Sequence, residues 1–298
     1  MRKNSTSKHA PLVSICIPTY NGDKYLKEAL ESVQKQSYEN LEVIFSDDNS
    51  KDQTMKIILE FKKRFHSPVY IYHHTPKGIG SNWNNCVKRA NGKYIKFLFQ
   101  DDILLPECVE KLVLLAEKDK QVGLVFCRRN FLFEQEKSKF NAWLKYHKEL
   151  HVHWKSIIFR DNDIISGKKL LRDNHILSFP QNKIGEPSAV LIRTECFNRL
   201  GYFEESLQQA LDVEYWLRIM KRYKVGFLED QLISFRIHQD QATQLNQSKG
   251  INEKELLEKL CYKRVFWHLN SSVRWKLFKS INRNHPIRRI SYLYNKKK

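Results

Sequence analysis

Gly92-Lys93-Tyr94-Ile95-Lys96-Phe97-Leu98-Phe99-Gln100-Asp101-Asp102 reads as a buried strand running into two adjacent carboxylates. A related arrangement lies upstream, where Leu41-Glu42-Val43-Ile44-Phe45-Ser46 leads into Asp47-Asp48. In an open parallel sheet, ligands bind outside the carboxyl ends of the strands. Carboxylates at such ends accept hydrogen bonds from a base or ribose, and can hold a hard divalent cation against a diphosphate. Two acidic strand ends in one α/β layer therefore point to a site for a metal-bound nucleotide.

Working outward, Val13 to Pro18 reads as a first strand, followed by a Tyr20-Asn21-Gly22-Asp23 turn. Tyr25, Leu26, Ala29, Leu30 and Val33 recur at helical spacing. Ser50-Lys51-Asp52-Gln53 has the form of a capping box and predicts a helix start, with Ile57, Ile58, Phe61 and Phe65 on its apolar face. A strand over Val69 to His73, a loop at Lys77-Gly78-Ile79-Gly80 and a helix over Asn82 to Ala90 follow. Pro106 suits the first turn of the next helix, and Val122 to Cys127 reads as a fifth strand. Strand–helix alternation with short connections specifies a mostly parallel sheet covered by helices on both faces.

Beyond Arg128 the pattern loosens. Residues 128–165 carry no clean period, as expected of a lid or acceptor loop. Strands are expected at Ala189 to Ile192, Val225 to Leu228 and Leu232 to His238, and a helical stripe at Val213, Trp216, Leu217 and Met220. From Ile251 a basic, mainly helical tail is expected, interrupted by Pro286. The expected division is an arm (1–11), a nucleotide-binding half (12–127), a second half (128–245) that includes the lid or acceptor loop, and the tail (246–298).

With 298 residues and 41% hydrophobic content, the chain is long and apolar enough for a sizeable core. No stretch approaches the ~20 apolar residues of a membrane span. Met1 to Ala10 is polar and basic, without the apolar core of a signal peptide, so a cytoplasmic location is expected. The six cysteines are scattered without metal-ligand or disulfide spacing, and buried thiols are the simplest expectation. No Walker loop and no Rossmann Gly-x-Gly-x-x-Gly occurs, which counts against ATP hydrolysis and hydride transfer.

Five segments together resemble the family 2 glycosyltransferases, inverting enzymes with the GT-A fold. They are Val13 to Asn21, Ser46 to Ser50, Gly92 to Asp102, Asp212 to Arg218, and Arg236-Ile237-His238. The resemblance implies a Rossmann-like α/β layer and a nucleotide-sugar donor, expected to be a UDP-hexose or UDP-N-acetylhexosamine. Side chains alternate along a strand, so only one of Asp47 and Asp48 should face the pocket; the family pattern favours Asp48 for the uracil. Tyr20 would stack on the base, with the backbone of Pro18 and Thr19 at its edge. Gln100-Asp101-Asp102 matches the family's Asp-x-Asp position, with glutamine for the first aspartate. By that match Asp102 would bind Mg²⁺ or Mn²⁺, Asp101 would sit near the ribose or a metal-bound water, and His238 would reach the metal or diphosphate. Arg236 and Lys77 are candidate diphosphate contacts, and Asn84 matches a family asparagine with a positioning role.

An inverting transfer needs one carboxylate to take the acceptor hydroxyl's proton. Asp212 and Glu214 compete for that role, and residues two apart on a helix project to different sides. Asp212 matches the family's catalytic aspartate, although Leu211 stands where the family often has an acidic residue. Retention would want two carboxylates flanking the sugar, so inversion is the simpler reading.

The formal charge is +19, and Lys259 to Lys298 supplies twelve Lys/Arg with no Asp or Glu. Val265, Phe266, Trp267, Leu269, Trp275, Leu277, Phe278, Tyr292, Leu293 and Tyr294 are interleaved with those cations. Such a segment can lie in an anionic membrane interface, which would suit a peripheral enzyme building a lipid-linked bacterial surface glycan, such as lipopolysaccharide or capsule, on the inner membrane face. The rival readings are a basic nucleic-acid-binding protein, or an inactive scaffold that only binds nucleotide sugar. Carboxylates in the main cleft speak against nucleic acid, because they repel phosphates unless a cation intervenes.

Overall fold

The computed structural model describes residues 10–241, 246 and 250–282. β1 (Val13–Thr19), α1 (Asp23–Gln34), β2 (Leu41–Asp47), α2 (Thr54–Arg64), β3 (Val69–His73), α3 (Ile79–Arg89) and β4 (Tyr94–Phe97) alternate as expected. β5 (Ile103–Leu104), α4 (Cys108–Glu117) and β6 (Val122–Phe133) follow, then α5 (Asn141–His147), β7 (Ile164–Ser166) and α6 (Gly167–Leu171). β8 (Val190–Arg193), α7 (Glu195–Leu200), α8 (Leu211–Arg222) and β9 (Lys224–Ile237) complete the layer, and helices Lys254–Arg264 and Ser271–Ile281 pack behind it.

Among the described residues the strands form one sheet in the order β3-β2-β1-β4-β8-β6-β9-β5, with β7 also on β9. The β3-β2-β1-β4 half is parallel, whereas β8 runs antiparallel to both β4 and β6. Strand alternation builds a core on each face. Val13, Ile15 and Ile17 meet Leu26, Ala29 and Leu30 of α1 on one side; Cys16, Ile95 and Phe97 meet Cys86 and Val87 of α3 on the other. Each Val, Leu, Ile and Phe among them contributes roughly 1.5–3 kcal/mol by leaving water. All six cysteines are free and buried.

The structure departs from the sequence expectations in three places. Ser50 does not cap α2: its hydroxyl donates to Asp47 and accepts from the Asn21 N–H, and the helix begins at Thr54 with Asp52 accepting its N–H. β6 continues six residues past Cys127, and the two strands expected after Val225 are one bulged strand, β9, paired along it. Residues 128–165 are accordingly more ordered than expected, and carry α5 and the start of β7. Their irregular sequence reflects packing across several short elements rather than a free loop.

Candidate active site

The parallel register sets Thr19 at the end of β1 beside Asp47 at the end of β2. Asp47 faces inward and is consumed locally: it accepts from the Thr19 hydroxyl at 2.9 Å and from the Ser50 N–H and hydroxyl at 2.9 and 2.6 Å. Its neighbour Asp48 points the other way and pairs with Nδ1 of His74, whose Nε2 lies 3.3 Å from the Ser81 hydroxyl. Burial raises the Asp48 carboxyl above its usual range, against the lowering effect of His74. The Asp48 N–H donates to the Thr19 carbonyl at 2.9 Å, which fixes the loop that carries it.

Tyr20 is 56% exposed at the mouth of this strand end. Its backbone is clamped from β4: the Tyr20 N–H donates to Gln100 Oε1 at 3.0 Å, and Gln100 Nε2 donates to the Tyr20 carbonyl at 3.1 Å. The glutamine standing in the Asp-x-Asp position thus makes a main-chain clamp. A Cβ on Gly22 would collide with that same amide, so any side chain there would have to displace the Gln100 clamp. Pro18 and Thr19 are buried at the end of β1, and the Thr19 carbonyl also accepts from Asn82 at 3.3 Å.

The two carboxylates after β4 divide differently from the sequence expectation. Asp102 is 1% exposed, accepting from the Ser188 hydroxyl at 2.5 Å and from the Arg236 N–H at 3.1 Å. Burial, reinforced by Asp101 beside it, lifts its carboxyl well above the ordinary range. Both oxygens are engaged in tying β4 to the 187–189 turn and to β9. Asp101 instead turns toward the expected histidine, its Oδ2 lying 2.9 Å from His238 Nε2. The expected Asp102–His238 pair is therefore an Asp101–His238 pair, because successive side chains point to opposite sides. His238 packs its ring 4.9 Å from Tyr25, and its Nδ1 is buried without a partner. Arg236 is held by the Asp101 carbonyl (3.0 Å), by Glu28 (2.6 Å) and over the Tyr25 ring. The Asp101 carboxylate is the hard oxygen donor here that suits Mg²⁺ or Mn²⁺, while an imidazole such as His238 is the softer partner beside it. Among the described residues no group of three or more His, Cys, Asp or Glu side chains could hold a metal unaided.

Asp212 lies in the first turn of α8 and is 7% exposed. Its Oδ2 accepts from Asn182 at 2.8 Å and its Oδ1 from the Val213 N–H at 2.7 Å. Burial pushes its carboxyl up to about 7, with Glu186 adding to the rise. Glu186 acts on Asp102 as well, so one loop, residues 182–188, joins the two carboxylates. Glu186 itself pairs with the buried Arg129 at 2.5–2.6 Å, and Arg129 also donates to the His147 carbonyl of α5. Arg129 thereby fastens α5 to the 182–188 loop.

Two sequence candidates fall elsewhere. Glu214 is buried in an ion cluster, 2.8–2.9 Å from Arg218 and 2.7 Å from Arg264, which anchors helix Lys254–Arg264 to α8. Asn84 spends its amide on the Phe203 N–H and carbonyl and on Glu205, joining α3 to the segment before α8. Neither side chain has a polar atom to spare for a substrate. Lys77 is exposed on the loop before α3. His74, Asn182, Glu186 and Ser188 were not singled out in the sequence. The Asn182-Lys183-Ile184-Gly185 stretch did carry a signal: Asn182 Oδ1 accepts the Ile184 and Gly185 N–H groups, and Gly185 sits at φ +130°.

The comparisons agree with this fold. The model of the family described as glycosyl transferase family 2 matches residues 14–174. An uncharacterized glycosyltransferase of Rickettsia prowazekii is 30% identical over 254 residues, 85% of this chain and 71% of the relative. Among solved structures, S. aureus TarS 1–349 in complex with UDP-GlcNAc superposes with a TM-score of 0.63 at 19% identity, covering 90% of this chain and 71% of that one. The mannosyltransferase PcManGT from Pyrobaculum calidifontis, in complex with GDP-Man and Mn²⁺, gives 0.56 at 15% identity, covering 97% and 80%. With strand-end carboxylates and a mixed sheet of the GT-A type already in place, the chain belongs to glycosyl transferase family 2.

Proposed function

We propose that the protein transfers a sugar, with inversion, from a UDP-sugar to a hydroxyl of a glycan acceptor. The observation that carries the reading is Asp212: a shielded carboxylate held by Asn182, with its pKa moved to about 7, and joined through the 182–188 loop to the buried Asp102. A base poised near neutral pH is the kind that removes a hydroxyl proton most effectively.

Asp48 would accept from the base, with Tyr20 against its face. Asp101 and His238 would hold Mg²⁺ or Mn²⁺, which when bound neutralises charge on the departing diphosphate. The acceptor oxygen attacks the anomeric carbon from the side opposite the diphosphate, and its proton passes to Asp212. The C1–O bond to the diphosphate breaks as the new glycosidic bond forms, so the configuration inverts. UDP is the donor nucleotide we infer, by analogy with the TarS neighbour in complex with UDP-GlcNAc; the PcManGT neighbour is in complex with GDP-Man. Residues 12–127 would hold the donor and 128–245 the acceptor. We assign the acceptor to a growing bacterial surface glycan carried on lipid, reached from the cytoplasmic face of the membrane.

A thermal-shift screen of UDP-, GDP- and TDP-sugars, with and without Mn²⁺, tests the donor assignment, because a ligand that binds only the folded state raises its apparent stability. No shift from any nucleotide sugar under either condition refutes it. Asp212→Asn separates enzyme from scaffold: turnover should vanish while the donor-induced shift persists.

A further inference from the structure

The tail residues that alternate in sequence separate in space. Val265, Leu269, Val273 and Leu277 are buried at 2–4% exposure against Leu257 and Cys261, and account for the apolar spacing of the helices. The aromatic side chains go the other way. Trp267 is 81% exposed and Trp275 50% exposed, on neighbouring elements. Phe266 lies 5.1 Å from Trp267 edge-to-face, and Arg274 sits within 6.0 Å of both rings. Trp275 stacks at 6.0 Å on Phe278 and carries Lys279 over its face at 4.6 Å. At 100° per residue, Arg274, Phe278, Trp275 and Lys279 share the half of helix Ser271–Ile281 that faces away from Val273 and Leu277.

We infer that this aromatic and cationic face is a docking surface for an anionic lipid bilayer. Tryptophan is costly to leave in water, and its amphipathic ring is most at home at the headgroup level of a membrane. Lys263, Lys276 and Lys279 are exposed around it, and no acidic residue occurs after Glu258 in the sequence. Each cation near an anionic leaflet strengthens binding by about fivefold. No described helix is long and apolar enough to cross a membrane, so the contact is one of surface adsorption. Six further Lys/Arg follow in 283–298, outside the described residues along with Tyr292, Leu293 and Tyr294. A single strand of RNA would also meet cations and rings, but it is usually held in a groove where bases stack, whereas Trp267 stands almost wholly free. The inference deepens the proposed function by naming what brings the enzyme to its acceptor, and it rests on the reading that the acceptor is lipid-linked.

The experiment is co-sedimentation of the full chain with vesicles of phosphatidylcholine alone and of phosphatidylcholine mixed with phosphatidylglycerol, across a salt series. Binding should favour the anionic vesicles and weaken with salt. Trp267→Ala/Trp275→Ala should reduce it at least about tenfold, and Lys276→Glu/Lys279→Glu at least about twentyfold. Both variants should keep the UDP-sugar-induced shift, and the lysine variant, whose altered side chains are exposed, should also keep the wild-type melting temperature. No binding to anionic vesicles, binding unchanged in both variants, or binding to poly(U) tighter than to vesicles overturns the inference. So does self-association of the full chain that the tryptophan variant abolishes. A lost donor shift in the wild type, with vesicle binding intact, would instead count against the donor assignment.

Discussion

Asn182 donates its amide to Asp212 Oδ2 over 2.8 Å, the one side-chain hydrogen bond described for a carboxylate that burial drives up to about 7. The bond favours the charged form, so it holds Asp212 lower than burial alone would. A base works deprotonated, so transfer should rise with pH through about 7 and level off above it. Asn182→Ala removes a bond to a charged group, worth about 1.5–3 kcal/mol, and should move that limb to higher pH by roughly one to two units. Initial rates across pH with a UDP-sugar measure it; a limb that stays in place would disconnect Asn182 from the base.

The same shift has a cost in stability. The folded pKa of Asp212 is about 7 against an ordinary 3.8, so the folded state binds the proton more tightly than the unfolded chain. Its contribution is fully present below pH 3.8 and is lost as pH rises to about 7. Asp212→Asn, which cannot ionise, should therefore be more stable than wild type at pH 8 by on the order of 2–4 kcal/mol, with the gap closing by pH 4. Denaturant titrations at the two pH values test this. Equal stability at both would mean that Asp212 is solvated rather than shielded.

Glu214 and Asn84 serve the frame, and their variants should say so. Removing Glu214 leaves Arg218 and Arg264 without their shared partner, at a cost of about 3–5 kcal/mol. Asn84→Ala strands the Phe203 N–H and carbonyl, at about 1–3 kcal/mol. Both variants should melt early yet retain the UDP-sugar-induced shift. Loss of that shift at full stability would return either residue to the substrate site.

The strand ends were legible because a buried run stopped by two aspartates leaves few alternatives: the run must cross a covered sheet and the charge must stop it at an edge. Which aspartate of each pair faces the pocket was harder. It depends on the pleat at the last strand residue, and β4 ends at Phe97, so the path of Leu98 to Gln100 decides it. That path turned Asp101 to His238 and buried Asp102 under Ser188, partners 137 and 86 residues away in sequence. Lys96 was equally hidden. Its 0% exposure and bonds to the Phe97 and Ser188 carbonyls belong to an aliphatic strand position that the sequence fills with a charge. The Glu186–Arg129 and Asn182–Asp212 contacts join segments with no shared period, so no pattern announced them.

Metal removal should act through Asp101 and His238. With both in the proposed role, Mn²⁺ should tighten UDP binding, and EDTA should abolish that increment while leaving the base contact at Asp48. His238→Ala should lose the Mn²⁺ increment by about tenfold or more. Isothermal titration with UDP, with and without Mn²⁺, reads the difference. An increment that survives in His238→Ala but disappears in Asp102→Asn would restore the assignment expected from sequence.

Gly22→Ala tests the Gln100 clamp without touching a charged group. The new methyl would meet the Gln100 amide, the end of a side chain able to swing aside, so the fold should tolerate it with a loss of about 1 kcal/mol or less. The Tyr20 backbone would then lose both of its bonds to Gln100. If Tyr20 stacks on the base, the looser backbone should weaken UDP binding several-fold while leaving the Mn²⁺ increment intact, since Asp101 and His238 lie beyond the clamp. Gln100→Ala should reproduce the effect, and combining the two should add little, because each removes the same pair of bonds. Additive losses from the pair would show that Gly22 and Gln100 act on the donor by separate routes.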